Sequence, residues 1–443
     1  MLLIYTPVVT NRTRYVMDHI FKEQFGIEYS ITNDRNAWTN ERSIPKFYYA
    51  PEPLEEGIYF FSTGLLDRND IREQDLNTGT YGDIPVLFAH KNSRSLLNFD
   101  PFAAVFYLLS RYEEYLGSTP AEYGNYDYRQ SVLHKLNTLH TPVVERWLNI
   151  LKHMLQQAFP SLRFKQNYAT YLLSFDIDVA YAYKNRSFPR TVGGLFKNSL
   201  SLNFKRLADQ LLTLMNLRDD TFDSNAYIFD KITSSPAIFF FNMGKYGRYD
   251  KNPSYKNPAF RKLIRSIAEK CWVGLHPSFA SNKSKHLLAE EKNKLEDITG
   301  KQIMASRQHY LKLTFPETYQ NLIGNKINKD FTMGYYYDYG FRAGTCRSFL
   351  FFDLQKNETT NLRLYPFAVM EGTLNDVLKL KIGEAEQTMT KLIQTVKEHD
   401  GIFIPLWHNS TLSDADGWRG WRQVFEHILS ELKENDFKEI TQL

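Results

Sequence analysis

From residue 171 onward the chain alternates short apolar runs with amphipathic stretches, and this alternation limits the fold more than any other feature. AIFFFNM (237–243) is followed by NPAFRKLIRSIAEK, CWVGLH by SKHLLAEEKNKLEDITG, and QIMASRQHY by FPETYQNLIGN. DYGFRAG and LRLYPFAV read as further strands, IGEAEQTMTKLIQTVKEHD as a helix, and GIFIPLWHN as a closing strand. Strands alternating with helices predict parallel β/α units. In a β/α barrel the carboxyl ends of such strands form one mouth.

Several of these strand ends are polar. YLLSFDIDVAYAY (171–183) closes an apolar run with Asp176 and Asp178. Two residues apart in extended chain, both carboxylates point to the same side, where they repel. A cation bound by one of them would relieve that repulsion and leave the other free as a base. The remaining polar ends are His276 in GLHPS, Arg307 and His309 in SRQHY, Arg342 in GFRAGT and His408 in PLWHNS. Singly, each has a structural use: an Asp after a strand caps a helix, a lone His takes a hydrogen bond, an Arg pairs with a carboxylate. Together they predict one functional mouth. Two histidines and a carboxylate form a common catalytic zinc set, and Asp178, His276 and His309 offer it.

The region from about 168 to 430 resembles the polysaccharide deacetylases with the NodB homology domain, also called carbohydrate esterase family 4. SFDID resembles that family's F-D-D motif with Ile177 inserted, Leu406-Trp407-His408 its L-x-H motif, and Arg307 the Arg that opens its third motif. The resemblance implies a distorted β/α barrel that removes acetyl groups from N- or O-acetylated carbohydrates with a divalent metal. It implies Asp176 as general base, Asp178 as a metal ligand, Arg307 as the residue orienting Asp176, and His408 as general acid. The chain departs from the family at H-[ST]-x-x-H: His276 is present, but Ala280 stands where the second histidine belongs. His309, from the neighbouring strand, is the expected replacement. Zinc is the expected metal, held by Asp178, His276 and His309. Tyr310 is expected to offer a backbone N–H to the oxyanion and Arg342 and Trp407 to bind substrate; Tyr335, Tyr336, Tyr337, Trp407 and Trp418 are candidate sugar-stacking faces, with core packing the commoner role for any one of them.

Residues 1–165 read as a smaller α/β domain: strands in LLIYTPVV, GIYFFST and IPVLFAH, then helices opened by Asp100-Pro101 and Thr141-Pro142. SRYEEYL (110–116) resembles part of an uncharacterised domain joined to such deacetylases in some bacteria. FPSLRFKQN reads as the linker to the barrel, assigned 168–443. A helical insertion near 186–235 carries basic residues and an apolar stripe at 204–217, which fits a surface helix pair or a contact with a membrane surface or partner.

Composition sets the class. The chain has 443 residues, 43% hydrophobic, with a net charge of +4. That supports packed cores and gives no reason to expect nucleic acid. Two cysteines outside any C-x-x-C pair fit a reducing compartment. The start lacks a signal-peptide pattern and no segment reaches the length of a membrane span, so a soluble cytoplasmic protein is expected. Asp176-Ile177-Asp178 is also a D-x-D, so a metal-dependent glycosyltransferase is one alternative. A non-catalytic carbohydrate-binding relative, motivated by Ala280, is the other.

Overall fold

The computed structural model describes residues 1–443 apart from 55, 201–203, 234, 416 and 443. Residues 201–203 and 234 of the expected helical insertion thus lie outside the described residues. Strands β1 (Leu2–Tyr5), β2 (Tyr29–Thr32), β3 (Lys46–Ala50) and β4 (Ile58–Phe61) form a parallel sheet in the order β2-β1-β3-β4. Helix Pro101–Leu109 starts as its sequence predicts, the Asp100 carboxylate accepting the Ala103 N–H at 2.9 Å. Helix Val143–Ala158 has no side-chain cap. The Gly344 carbonyl takes the Val144 N–H instead, at 2.9 Å.

The second sheet holds the chemistry. Its strands are β5 (Leu173–Ile177), β6 (Ala237–Asn242), β7 (Trp272–His276), β8 (Ala305–Ser306), β9 (Lys329–Asp330), β10 (Phe349–Asp353), β11 (Glu358–Leu364), β12 (Val369–Met370) and β13 (Pro405–His408). They run in the order β10-β11-β9-β8-β7-β6-β5-β13-β12, curled as an open half-barrel. All neighbours are parallel except β10 and β11, an antiparallel edge pair. Helices Pro258–Ala268, Lys285–Thr299, Glu317–Gly324 and Ile382–Glu398 connect successive strands, as the alternation requires. The insertion is helical: Phe188–Leu200, Phe204–Leu214 and Asn225–Lys231.

DYGFRAG is not a strand. Gly340 has φ 114°, and a Cβ there would lie 2.2 Å from the Leu139 carbonyl oxygen. Phe341 N–H donates to that same oxygen at 2.8 Å. The segment is therefore a buried turn wedged against residues 139–144, and its apolar-polar alternation reflects that packing rather than a sheet.

One apolar cluster runs from Leu2 through Trp147 to Phe437, so the two sheets share a core. Polar ties cross the same interface. Arg111, buried in SRYEEYL, pairs with Glu113 (2.9 Å) and Glu114 (2.8 Å) and donates to the Arg342 carbonyl. Glu145 accepts a hydrogen bond from Thr345, while its other oxygen has no hydrogen-bond partner among the described residues. Burial pushes the Glu145 pKa up to about 7. A buried acid with a raised folded pKa loses stability as pH climbs from its unfolded value, about 4.3, towards 7, and the loss then levels off. Glu145→Gln keeps the acceptor for Thr345 and removes the charge. It is expected to raise the melting temperature at pH 8 and not at pH 4; equal shifts at both would contradict this.

Candidate active site

Strand register assembles the site. His408 on β13 is level with Asp176 on β5, and His276 on β7 is level with Asn242 on β6. The ends of β5, β7, β8 and β13 open into one cavity of about 270 Å³ lined by Asp176, Asp178, His276, His309, Tyr310 and His408.

Asp176 is buried, and its Oδ1 accepts from Arg307 Nη1 at 2.9 Å. Arg307 is itself sealed, with Nη2 on Ser174 Oγ and Nε on the Phe331 carbonyl, each at 2.9 Å. Every arm of the guanidinium is thus engaged, which fixes the Asp176 carboxylate and leaves Oδ2 facing the cavity, 3.8 Å from His276 Nε2.

Asp178, His276 and His309 offer ligand atoms that all lie within 4.8 Å of one another. His276 Nδ1 faces the Arg307 carbonyl, which can only accept. A proton therefore sits on Nδ1, and Nε2 is the atom left to bind a cation. Nε2 lies 3.0 Å from Asp178 Oδ1, a buried oxygen with no aligned hydrogen-bond donor among the described residues. At that distance a proton or a metal ion must lie between the two atoms, and two imidazoles with a carboxylate suit zinc. His309 also turns Nδ1 to an acceptor and Nε2 to Asp178. Its Nδ1 meets Asp250 Oδ1 at 2.9 Å, and its Nε2 lies 3.3 Å from Asp178 Oδ2. Burial alone would lower the His309 pKa, but Asp178 and Asp250 push it up to about 9. Burial alone would raise that of Asp178, but His309 and His276 hold it well below the usual carboxylate range. The donor set fits a divalent cation.

On the neighbouring strand His408 Nδ1 donates to Glu371 Oε1 at 2.7 Å, turning Nε2 towards Asp178 Oδ2 at 3.5 Å. Glu371 also accepts from the His408 N–H (2.7 Å) and Thr411 Oγ1 (2.8 Å). Burial would lower the His408 pKa, yet Glu371 pushes it up to about 10, so the ring holds a proton across the neutral range.

The structure places three of the candidate substrate-contacting residues elsewhere. Arg342 is fully buried away from the cavity, bidentate to Glu114 at 2.6 and 3.1 Å. It joins the first region to the turn at 340–344 and is sealed from any ligand. Trp407 is also fully buried: strand alternation turns it to the opposite face from His408, where it packs on Trp421 and Phe425. Tyr335 is core as well. Tyr310, Tyr336 and Trp418 do line the cavity, and Tyr123 of the first region stacks on Tyr310 at 4.7 Å. Ala280 only opens a short turn at Ser281–Lys283.

Asp250, Asn242 and Glu371 are supporting residues that sequence reasoning missed. Asn242 Nδ2 donates to Asp250 Oδ1 at 2.8 Å, holding the carboxylate under His309. Such a carboxylate–histidine pair orients a ligand and raises its basicity. Asp250→Asn is expected to weaken zinc affinity roughly 10–100-fold. Competition against a chromogenic chelator measures it, and unchanged affinity would remove Asp250 from the centre.

Residues 2–160 match the model of a family of unknown function, DUF7033. No curated protein matches the chain. Among solved structures the chain is similar to a protein assigned as a polysaccharide deacetylase from Mycobacterium smegmatis, at 12% identity and TM-score 0.37, over 63% of this chain and 95% of that one. A polysaccharide deacetylase from Bacillus cereus matches at 12% identity and TM-score 0.31, over 62% and 93%. A CE4 family pseudoenzyme from Bacillus anthracis matches at 11% and 0.32, over 62% of this chain and 64% of its own. These likenesses are loose, and the site's chemistry stands on its own side chains.

Proposed function

We propose that the protein is a metal-dependent hydrolase that removes acetyl groups from an N- or O-acetylated carbohydrate. One observation carries this reading: a three-residue cation site (Asp178, His276, His309) shares a cavity with a carboxylate fixed by Arg307 and an imidazole fixed by Glu371. A divalent cation held there, zinc by its donor set, supplies a polarised acyl carbonyl and an acidified water. Asp176 Oδ2 takes the water proton, since Oδ1 is committed to Arg307. His408 Nε2 carries a proton into the same cavity and gives it to the departing nitrogen or oxygen. Tyr310, with φ 59° just after the His309 ligand, offers its backbone N–H to the developing oxyanion. Tyr336 and Trp418 supply apolar faces to a sugar ring. The sequence resemblance to the NodB-type deacetylases supports the same roles for Asp176, Asp178, Arg307 and His408.

A D-x-D glycosyltransferase would turn both carboxylates to a metal-bound nucleotide. Here Asp176 is engaged by Arg307 and the other cation donors are imidazoles, which does not favour that reading. The test is acetate release from N-acetylated and O-acetylated oligosaccharides by zinc-loaded protein. Release that stops with a chelator and returns with zinc is expected. Sugar binding with no release from either class would favour the non-catalytic alternative.

A further inference from the structure

The helical insertion is built inside out. Phe188, Val192, Phe196 and Leu200 recur every fourth residue of the helix Phe188–Leu200 and so share one face. That face is turned to solvent: Phe188 is 81% exposed, Phe196 66% and Leu200 69%. On the second helix, Phe204–Leu214, Phe204 and Leu211 share an exposed face that continues to Met215 and Leu217. The buried residues of that helix are polar, Gln210 and Thr213. Gln210 accepts from Asn198 Nδ2 at 2.9 Å and donates to the Thr191 carbonyl at 3.1 Å, so the seam between the helices is hydrogen-bonded. Water outside and amides inside is the reverse of the usual arrangement. An apolar solvent on the outer face reconciles the two.

The charge of the two outer helices and their flanks, as distinct from the acidic base at 219–230, names that solvent. Residues 186–218 hold six Lys and Arg against one acid, Asp209, and Asp209 is paired with Arg218. Lys205 and Arg206 are exposed beside the apolar face. At the base of the first helix a cavity of about 610 Å³ is lined by Arg186, Arg190, Lys245, Lys256 and Lys294, with no carboxylate among its described lining residues. Apolar residues flanked by cations fit a lipid surface with anionic headgroups. A second copy of the same face would bring these cations together. No helix among the described residues is long and apolar enough to cross a membrane, so the contact is peripheral.

The base of the insertion is hydrogen-bonded to segments that follow active-site residues. Asp220 accepts the N–H groups of Ala182, Tyr183 and Lys184 at 2.6–2.8 Å, shortly after Asp178. Ser224 Oγ donates to the carbonyl of Asn409, the residue after His408, at 2.7 Å.

We propose that this hairpin docks the protein on an anionic bilayer, with the cationic cavity receiving headgroup phosphates. The inference does not depend on the reaction proposed above.

The test is flotation of the full chain with vesicles of phosphatidylcholine alone or containing roughly one-third phosphatidylglycerol, at about 0.15 M salt. Binding to the anionic vesicles is expected, at least about tenfold tighter than to the neutral ones. The double variant Phe196→Ser/Phe204→Ser should weaken it about 100-fold. Lys205→Gln/Arg206→Gln should weaken it roughly 30-fold. Both variants should keep the wild-type melting temperature, because these side chains are exposed. Failure of the wild type to float, or variants that float equally well, would overturn the proposal. A wild-type dimer in sedimentation that Phe196→Ser/Phe204→Ser splits, without vesicle binding, would overturn it in favour of a second copy on this face.

Discussion

Replacing Asp176 by Asn is expected to cut turnover roughly 10²–10⁴-fold while leaving bound metal in place. The substitution is nearly isosteric, and the amide oxygen can still accept from Arg307 Nη1, which lies 2.9 Å away. What disappears is the basic oxygen facing the cavity. Asp178, His276 and His309 keep their positions, so zinc content should match the wild type. The side chain is buried and its partner is a cation, so a modest fall in melting temperature is also expected. Near-normal turnover with Asn at 176 would remove the residue from the reaction. Loss of metal together with turnover would make Asp176 a ligand rather than a base.

The second large effect is on stability. Glu114→Ala is expected to destabilise the fold by roughly 3–5 kcal/mol, because it leaves a buried cation uncompensated. Arg111 retains Glu113, but among the described residues Glu114 is the only carboxylate paired with Arg342. Arg342 would then be left fully buried against the Gly334 carbonyl and the Tyr126 ring. Replacing both partners by apolar groups, Glu114→Leu/Arg342→Met, removes the stranded charge and should recover much of the loss. Urea denaturation of the single and double variants measures both. A Glu114→Ala loss under about 1 kcal/mol would mean that water reaches the pair.

These two residues mark where the sequence was legible and where it was not. Asp176, Asp178, His276, Arg307, His309 and His408 stood out because polar groups at parallel strand ends are unusual and share one direction. Glu371 obeys the same rule at the end of β12, as Asn242 does at the end of β6, and consistent application of it would have found both. Asp250 follows no local rule: it sits in the loop RYDKNPS and reaches His309 across 59 residues of sequence. Arg342 was misread because Gly-Phe-Arg-Ala alternates like a strand, while its true partner lies 228 residues away. The insertion shows the same limit. A stripe every fourth residue reveals an amphipathic helix, but the spacing is identical whether that stripe faces the core or the solvent. Only the polar seam at Gln210 decides the direction.

The central claim is that Asp178, His276 and His309 hold a divalent cation. Elemental analysis of metal per chain tests it most directly, in the wild type and in Asp178→Ala, His276→Ala and His309→Ala, each checked for an intact melting transition. About one zinc per wild-type chain, lost in all three variants, is the predicted result. No metal in the wild type after loading with zinc, or full retention in the variants, would contradict it.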